Sequence, residues 1–434
     1  MTKPNMTSTS PGAAPPGTYV RHVEWSRQAT IYEVNLRQYT PEGTLAAFEA
    51  HLPRLKAMGV DIVWLMPVHP IGLKNRKGGL GSAYAVRDYL AVNPEYGTAH
   101  DFRHLVDTAH ALGMKVLIDW VANHTAWDHV WVDPHPDWYL KNAAGEIHSY
   151  TYTGGPEPEY WTDVIGLDFA VPAVRDAMAA AMSWWVREMD VDGFRCDVAS
   201  LVPLAFWERV RPELDAIKPV FMLAESADVA LLARAFDMVY DWPLHDVMKQ
   251  IARGDLVGSA AGDALDQRLA RRSTKYPADA YLMNFTSNHD KNAWEGHDGE
   301  VYGPAFEAMA VLAATLPGMP LIYGGQEAML HKRLAFFEQD SIAWQGWPLQ
   351  DFYSRLLTHK HRHPALANGA AGAPLQRLDA GNPALYAYRR SIAGDGVTVI
   401  VNLSASMQAA GAVLQTHWPQ AGDAIEPWGW RILE

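Results

Sequence analysis

The chain has 434 residues, 49% hydrophobic and 20% charged, the proportions of a folded protein and not of a disordered or fibrous one. Its formal net charge of −13 disfavours nucleic acid and anionic membranes as partners, because a polyanion is repelled over most of an acidic surface. The single cysteine, Cys196, excludes an internal disulfide, and no apolar run is long enough to span a bilayer.

Residues 1–18, rich in Pro, Ser, Thr and Gly, read as a disordered leader without the apolar centre of a signal peptide, which leaves the compartment open. From about Thr30, short apolar runs alternate with longer amphipathic stretches, the pattern of repeated strand–helix units. The predicted strands are Ile31–Asn35, Asp61–Met66, Lys115–Trp120, Gly193–Val198, Val220–Ala224, Met238–Asp241, Tyr281–Phe285 and Pro320–Tyr323. Helical periods fall between them, as at Thr44–Met58, His100–Leu112, Pro172–Met189 and Leu204–Ile217, with Thr98 as a capping residue before an acidic first turn. Eight such units predict an α/β chain folded as a (β/α)₈ TIM barrel over residues 19–124 and 170–373. No Gly-rich phosphate loop follows any strand, which argues against nucleotide binding.

One connection breaks the rhythm. Thr125–Phe169, after the third strand, is rich in Trp, Pro, Asp and Gly, and loops of such length tend to be functional. It reads as an insertion on the side where barrels build their sites. After about Pro374 the helical period gives way to strand-like runs at Leu385–Arg390, Val397–Leu403 and Trp428–Leu433, a small antiparallel β domain over 374–434.

Polar residues gather just after several strands. Asp119 and His124 follow the third, Arg195 and Asp197 close the fourth, Glu225 ends the fifth, and His289 and Asp290 follow the seventh. A lone acid at a strand end is often only a helix cap, but a barrel would bring all of these to one mouth. Carboxylates sharing a pocket repel, which raises the pKa of at least one, and glycoside cleavage needs one proton donor and one nucleophile. Arg195, two residues before Asp197 on one strand face, is expected to keep Asp197 ionised. Glu225, with no basic neighbour in sequence, is then the better acid. The 17 Trp and 18 Tyr suit sugar faces, although most such side chains serve as core.

At these residues a resemblance emerges. Asp119–His124, Gly193–Ser200, Phe221–Glu225 and Phe285–Asp290 resemble, in order, the four signature regions of the α-amylase family. Val60–Pro67, Leu167–Pro172 and Gly318–Glu327 are similar to its secondary motifs, so the likeness runs from about Ile31 to Glu327. The resemblance implies that Asp197 is the glycosyl nucleophile, Glu225 the general acid and then base, and Asp290 their helper, acting with retention of configuration. It implies that Tyr84, His124, Arg195 and His289 line the subsite where the bond is cut. It also implies that residues 125–169 are domain B and the C-terminal β segment domain C.

Two positions depart from the family pattern. Asn123 matches an asparagine that helps to hold a structural calcium, whereas the aspartate usual before Leu167 is Gly166, and losing a carboxylate weakens a calcium site. Ala199-Ser200 stand where typical amylases have Lys-His. No cofactor is required for the chemistry. The expected function is hydrolysis of α-1,4-glucosidic bonds in starch-like glucans or maltooligosaccharides. The alternatives are glucosyl transfer or a narrow α-glucosidase or sucrose-type hydrolase on the same residues and, more remotely, a non-catalytic sugar-binding relative. Trp127, Trp131, Trp138 and Trp161 are candidates for the wall that receives the acceptor.

Overall fold

The computed structural model describes residues 20–155, 157–411, 422 and 424–434. The proposed leader, residues 1–18, lies outside them. The strands of the barrel region and its insertion are, in chain order, β1 (Ile31–Val34), β2 (Ile62–Leu65), β3 (Lys115–Trp120), β4 (His124–Ala126), β5 (Ser149–Tyr152), β6 (Glu159–Gly166), β7 (Gly193–Cys196), β8 (Phe221–Ala224), β9 (Met238–Tyr240), β10 (Tyr281–Phe285) and β11 (Met319–Tyr323). Eight of these close a parallel barrel in the order β1-β2-β3-β7-β8-β9-β10-β11, with β11 returning to β1. Buried on both faces, they read as unbroken apolar runs and not as alternations.

Inward side chains fill the barrel, among them Ile31, Ile62, Leu117, Phe221, Met238 and Met283. The upper layer turns polar, with Glu33, Asp119 and Arg195 each fully buried. Gly193 starts β7 at φ 150°, and a Cβ there would lie 1.8 Å from the carbonyl oxygen of Phe221, so glycine is required for β7 to approach β8.

Boundaries shift where local chemistry overrides the period. The first expected helix divides into Leu45–Glu49 and Leu52–Met58, the second opening on Pro53, which suits a helical first turn. The fourth strand ends at Cys196, leaving Asp197 just beyond it. The third connection is not structureless: β4, β5 and β6 form an antiparallel sheet, with His124 opposite Gly166. Beyond the barrel, β12 (Leu375–Leu378), β13 (Leu385–Ile392), β14 (Asp395–Asn402) and, after a short β15 (Gln408–Ala409) and β16 (Ala424–Ile425), β17 (Trp430–Leu433) build an antiparallel sheet in the order β12-β13-β14-β17. Among the described residues no helix is long and apolar enough to cross a membrane.

Candidate active site

Parallel strands aim their C-terminal ends at one rim, and the loops there enclose a cleft of about 810 Å³. Tyr84, His124, Asp197, Glu225, His289 and Asp290 all line it. Arg195 lies beneath as a buried floor. Its Nη1 donates to Asp119 Oδ1 at 2.8 Å and to Asp197 Oδ1 at 2.9 Å, while Nη2 lies 2.8 Å from Glu225 Oε1 as a charge contact. The guanidinium also sits 5.1 Å from the centre of the Trp64 ring, and its Nε donates to Tyr240 Oη at 3.2 Å. A planar, permanently charged fork can serve three carboxyls in this way; a lysine could not.

This geometry corrects one expectation. Arg195 is shared, so it does not single out Asp197 as the ionised partner, and Glu225 does have a basic neighbour. Burial, followed by the charge of Glu225, pushes the Asp197 carboxyl well above the usual carboxylate range despite Arg195. Burial raises Asp119 too. Five carboxyls, those of Glu33, Asp119, Asp197, Glu225 and Asp290, surround Arg195 and His289, and burial raises the Glu33 carboxyl as well.

The backbone after Asp197 bends sharply. Val198 adopts φ 36° and ψ 46°, a left-handed conformation that a β-branched residue rarely takes. Its N–H donates to Glu225 Oε2 at 2.8 Å. Strain of this kind costs on the order of 1–3 kcal/mol and is held at functional sites by the surrounding structure.

A second network descends from His289. Its Nδ1 donates to Glu33 Oε1, and its Nε2 lies 2.8 Å from Tyr84 Oη, which in turn donates to Asp119 Oδ2 at 2.9 Å. Because the tyrosine proton goes to Asp119, His289 donates at both nitrogens. Burial pulls its pKa down, but the charges of Asp290 and Glu33 outweigh it and carry the imidazole up to about 9. His124 differs: burial lowers it to about 3, so it stays neutral. Asp290, with its side chain 39% exposed, is the most open of the three acids and precedes a π-helical turn, Lys291–Glu295, that carries Trp294 to the rim.

A family model described as the α-amylase catalytic domain matches residues 24–345 of the chain. The chain belongs to the α-amylase family. Its enzymes include similar chains of more than one naming. Alpha-amylase MalA of Haloarcula japonica is 29% identical over 89% of this chain and 57% of its own length. An α-1,4-glucan:maltose-1-phosphate maltosyltransferase of Streptomyces coelicolor is 30% identical over 88% of this chain and 59% of its own. This chain thus spans somewhat under three-fifths of the length of these two relatives. The crystal structure of an α-amylase from Lactobacillus plantarum superposes with a TM-score of 0.81 at 30% identity, covering 94% of this chain and 99% of that one.

The departures of this α-amylase-family chain have structural reasons. The Asn123 amide donates to His124 Nδ1 at 3.2 Å, and no group of three His, Cys, Asp or Glu side chains gathers there among the described residues. At position 166 a Cβ would meet Leu140 Cδ1 at 2.8 Å and Tyr150 Cδ2 at 2.9 Å, so an aspartate there would require these side chains to shift. Gly166 thus brings no carboxylate towards Asn123, and a calcium ion there would draw its six or more oxygens from amide and carbonyl groups. Calcium chloride added to dialysed protein is expected to leave Tm unchanged in a thermal scan; a rise abolished by Asn123→Ala would restore the calcium expectation.

The aromatic wall also differs from the expected one. Trp131 and Trp138 pack together with centroids 5.3 Å apart inside the insertion, and Trp127 donates to the Thr162 carbonyl. Only Trp161 of the expected four lines the cleft, joined by Tyr160, Trp294, Phe336 and Phe337. Tyr160 is 68% exposed and Trp294 57%. Sequence reasoning missed these and Glu33, whose one signal was a lone acid inside the apolar strand Ile31-Tyr32-Glu33-Val34. Lys77, also missed, reaches the cleft and pairs with Asp163 at 3.0 Å.

His289 supplies a prediction. Its charge is fully present below the ordinary histidine value near 6.5 and is lost as pH rises through about 9. The pH profile of kcat/KM is expected to fall on an alkaline limb near that value. Glu33→Gln removes a charge that favours the imidazolium, so the limb moves to lower pH. An unmoved limb would detach His289 from it.

Proposed function

We propose that this enzyme cleaves α-1,4-glucosidic bonds in starch-like glucans or maltooligosaccharides by double displacement, with water as the second acceptor. The observation that carries the reading is the single guanidinium of Arg195 shared by Asp197 and Glu225, at 2.9 and 2.8 Å. Two carboxyls held on one fork support the short separation that a covalent glycosyl intermediate requires, where inverting enzymes leave a wider gap for water. In the first step the Asp197 carboxylate bonds to the anomeric carbon. Glu225 gives its proton to the glycosidic oxygen, and the carbon–oxygen bond breaks. In the second, Glu225 takes a proton from water as that water attacks the anomeric carbon and frees Asp197. Asp290, His289 and neutral His124 hydrogen-bond the sugar hydroxyls, and Tyr84 packs on the ring. The division between nucleophile and acid follows the family motifs.

Transfer is the second reading, favoured by the relatives named as maltosyltransferases. The cleft's charge weighs against a phosphorylated donor. Lys77, already paired, is the lone Lys or Arg in its lining among the described residues, against Glu159, Asp163, Asp197, Glu225 and Asp290. A phosphate dianion would be repelled there, whereas a neutral glucan would not.

The test is product analysis from maltotetraose and, separately, from maltose 1-phosphate with maltotetraose as acceptor. Shorter sugars alone, released first as the α-anomer by NMR, are expected. Chains extended by maltose units would overturn hydrolysis, and β-anomers would overturn retention. Glu225→Gln should lose about 10²–10⁴-fold on maltotetraose but far less on an aryl glycoside whose leaving group needs no proton; equal losses would refute the acid role.

A further inference from the structure

At the junction of the barrel with the C-terminal sheet, far from the cleft in sequence, two histidines and a glutamate converge. His359 lies in the last turn of helix Gln350–Arg362, His363 caps that helix, and Glu434 follows β17. His359 Nδ1 is 3.1 Å and His363 Nε2 is 3.2 Å from the same oxygen, Glu434 Oε1. Neither nitrogen makes an aligned hydrogen bond, although both are buried atoms. The His363 side chain is only 9% exposed, so an unpartnered nitrogen there is costly. On its far side, His363 Nδ1 donates to Asp395 Oδ1 at 2.7 Å, which directs the Nε2 lone pair towards Glu434. A lone pair facing a carboxylate oxygen repels it unless a proton or a cation lies between.

We propose that His359, His363 and Glu434 form a zinc site that ties the last barrel helix to the C-terminal sheet. Tetrahedral zinc with bonds of about 2.0–2.1 Å sets neighbouring ligand atoms roughly 3.3 Å apart, close to the two spacings here. The ligand set, two imidazoles and a carboxylate, suits zinc and not calcium or magnesium, which prefer oxygen. Asp395 plays the outer part usual for a metal-bound histidine, fixing the tautomer and raising ligand basicity. Glu434 is partly exposed, so the ion has a route in, and Arg362 Nη2, 3.2 Å from Glu434 Oε2, holds the carboxylate in position. The cleft and its acids take no part in this site.

The experiment is titration of the metal-stripped full chain with zinc chloride by calorimetry, alongside thermal scans with zinc and with calcium. One equivalent of zinc is expected to bind with micromolar affinity and to raise Tm, with calcium doing neither. His363→Ala and His359→Gln should each abolish binding, and Asp395→Asn should weaken it by about 10–100-fold. Circular dichroism of the metal-free variants confirms that they are folded, and Glu434→Gln, which keeps the shape, serves as the variant of record if His363→Ala unfolds. No saturable zinc binding, or binding unchanged in Glu434→Gln, would overturn the proposal.

Discussion

Asp197→Asn is expected to lower kcat on maltotetraose by on the order of 10⁴-fold or more, with the protein folded and at least as heat-stable as before. Asparagine keeps the shape but cannot bond to the anomeric carbon as a leaving carboxylate must, and the first displacement fails. The stability expectation follows from the burial of Asp197. A carboxyl whose folded pKa is raised favours the fold fully below its unfolded value near 3.9, and that favour is lost as pH rises through the folded value. Above that unfolded value the wild-type fold therefore carries the cost of a buried Asp197 carboxyl, which asparagine removes. Arg195 retains Asp119 and Glu225 as partners. Kinetics and a thermal scan on one sample check both halves: near-wild-type turnover would refute the nucleophile, and a large drop in Tm would refute the burial cost.

Arg195→Met is expected to destabilise the fold by about 3–5 kcal/mol at neutral pH and to abolish activity, because it leaves buried carboxyls without their cation. Asp119 and Arg195 are both fully buried, so solvent cannot replace the lost partner. The loss should depend on pH. Without Arg195 the folded pKa values of Asp119 and Asp197 rise further, so the deficit is small where both are protonated and grows as pH climbs through them. Urea denaturation at about pH 5 and about pH 8 measures this, and a deficit equal at both would contradict the electrostatic origin. Arg195→Lys is expected to recover little, since an ammonium cannot reach three carboxyls as a fork does.

Much of the architecture could be read from local pattern. Apolar runs such as Lys115–Trp120 and amphipathic periods such as Pro172–Glu188 are properties of contiguous residues, and eight repeats of them define a barrel. The positions of Asp197, Glu225, His289 and Asp290 just past strand ends were likewise legible, because a parallel barrel sends every such position to one rim. The insertion was less so. Its strands pair with one another through residues as distant as His124 and Gly166, and its Trp131 and Trp138 turn inward onto the main core, Trp131 beside Tyr89.

What the sequence determined by itself, then, is the set of strands, the family and the candidates for chemistry, each set by period or by motif. What only the tertiary structure decided is who shares whom. Glu33 meets His289 across 256 positions of chain, Arg195 serves Glu225 as well as Asp197, and Phe336 and Trp294 line the cleft where Trp127, Trp131 and Trp138 do not. Spacing along one strand puts Arg195 and Asp197 on one face, but the reach of a guanidinium to β3 and β8 depends on the register and closure of the barrel. Those are set by packing among all eight strands at once, and no single stretch of sequence carries them.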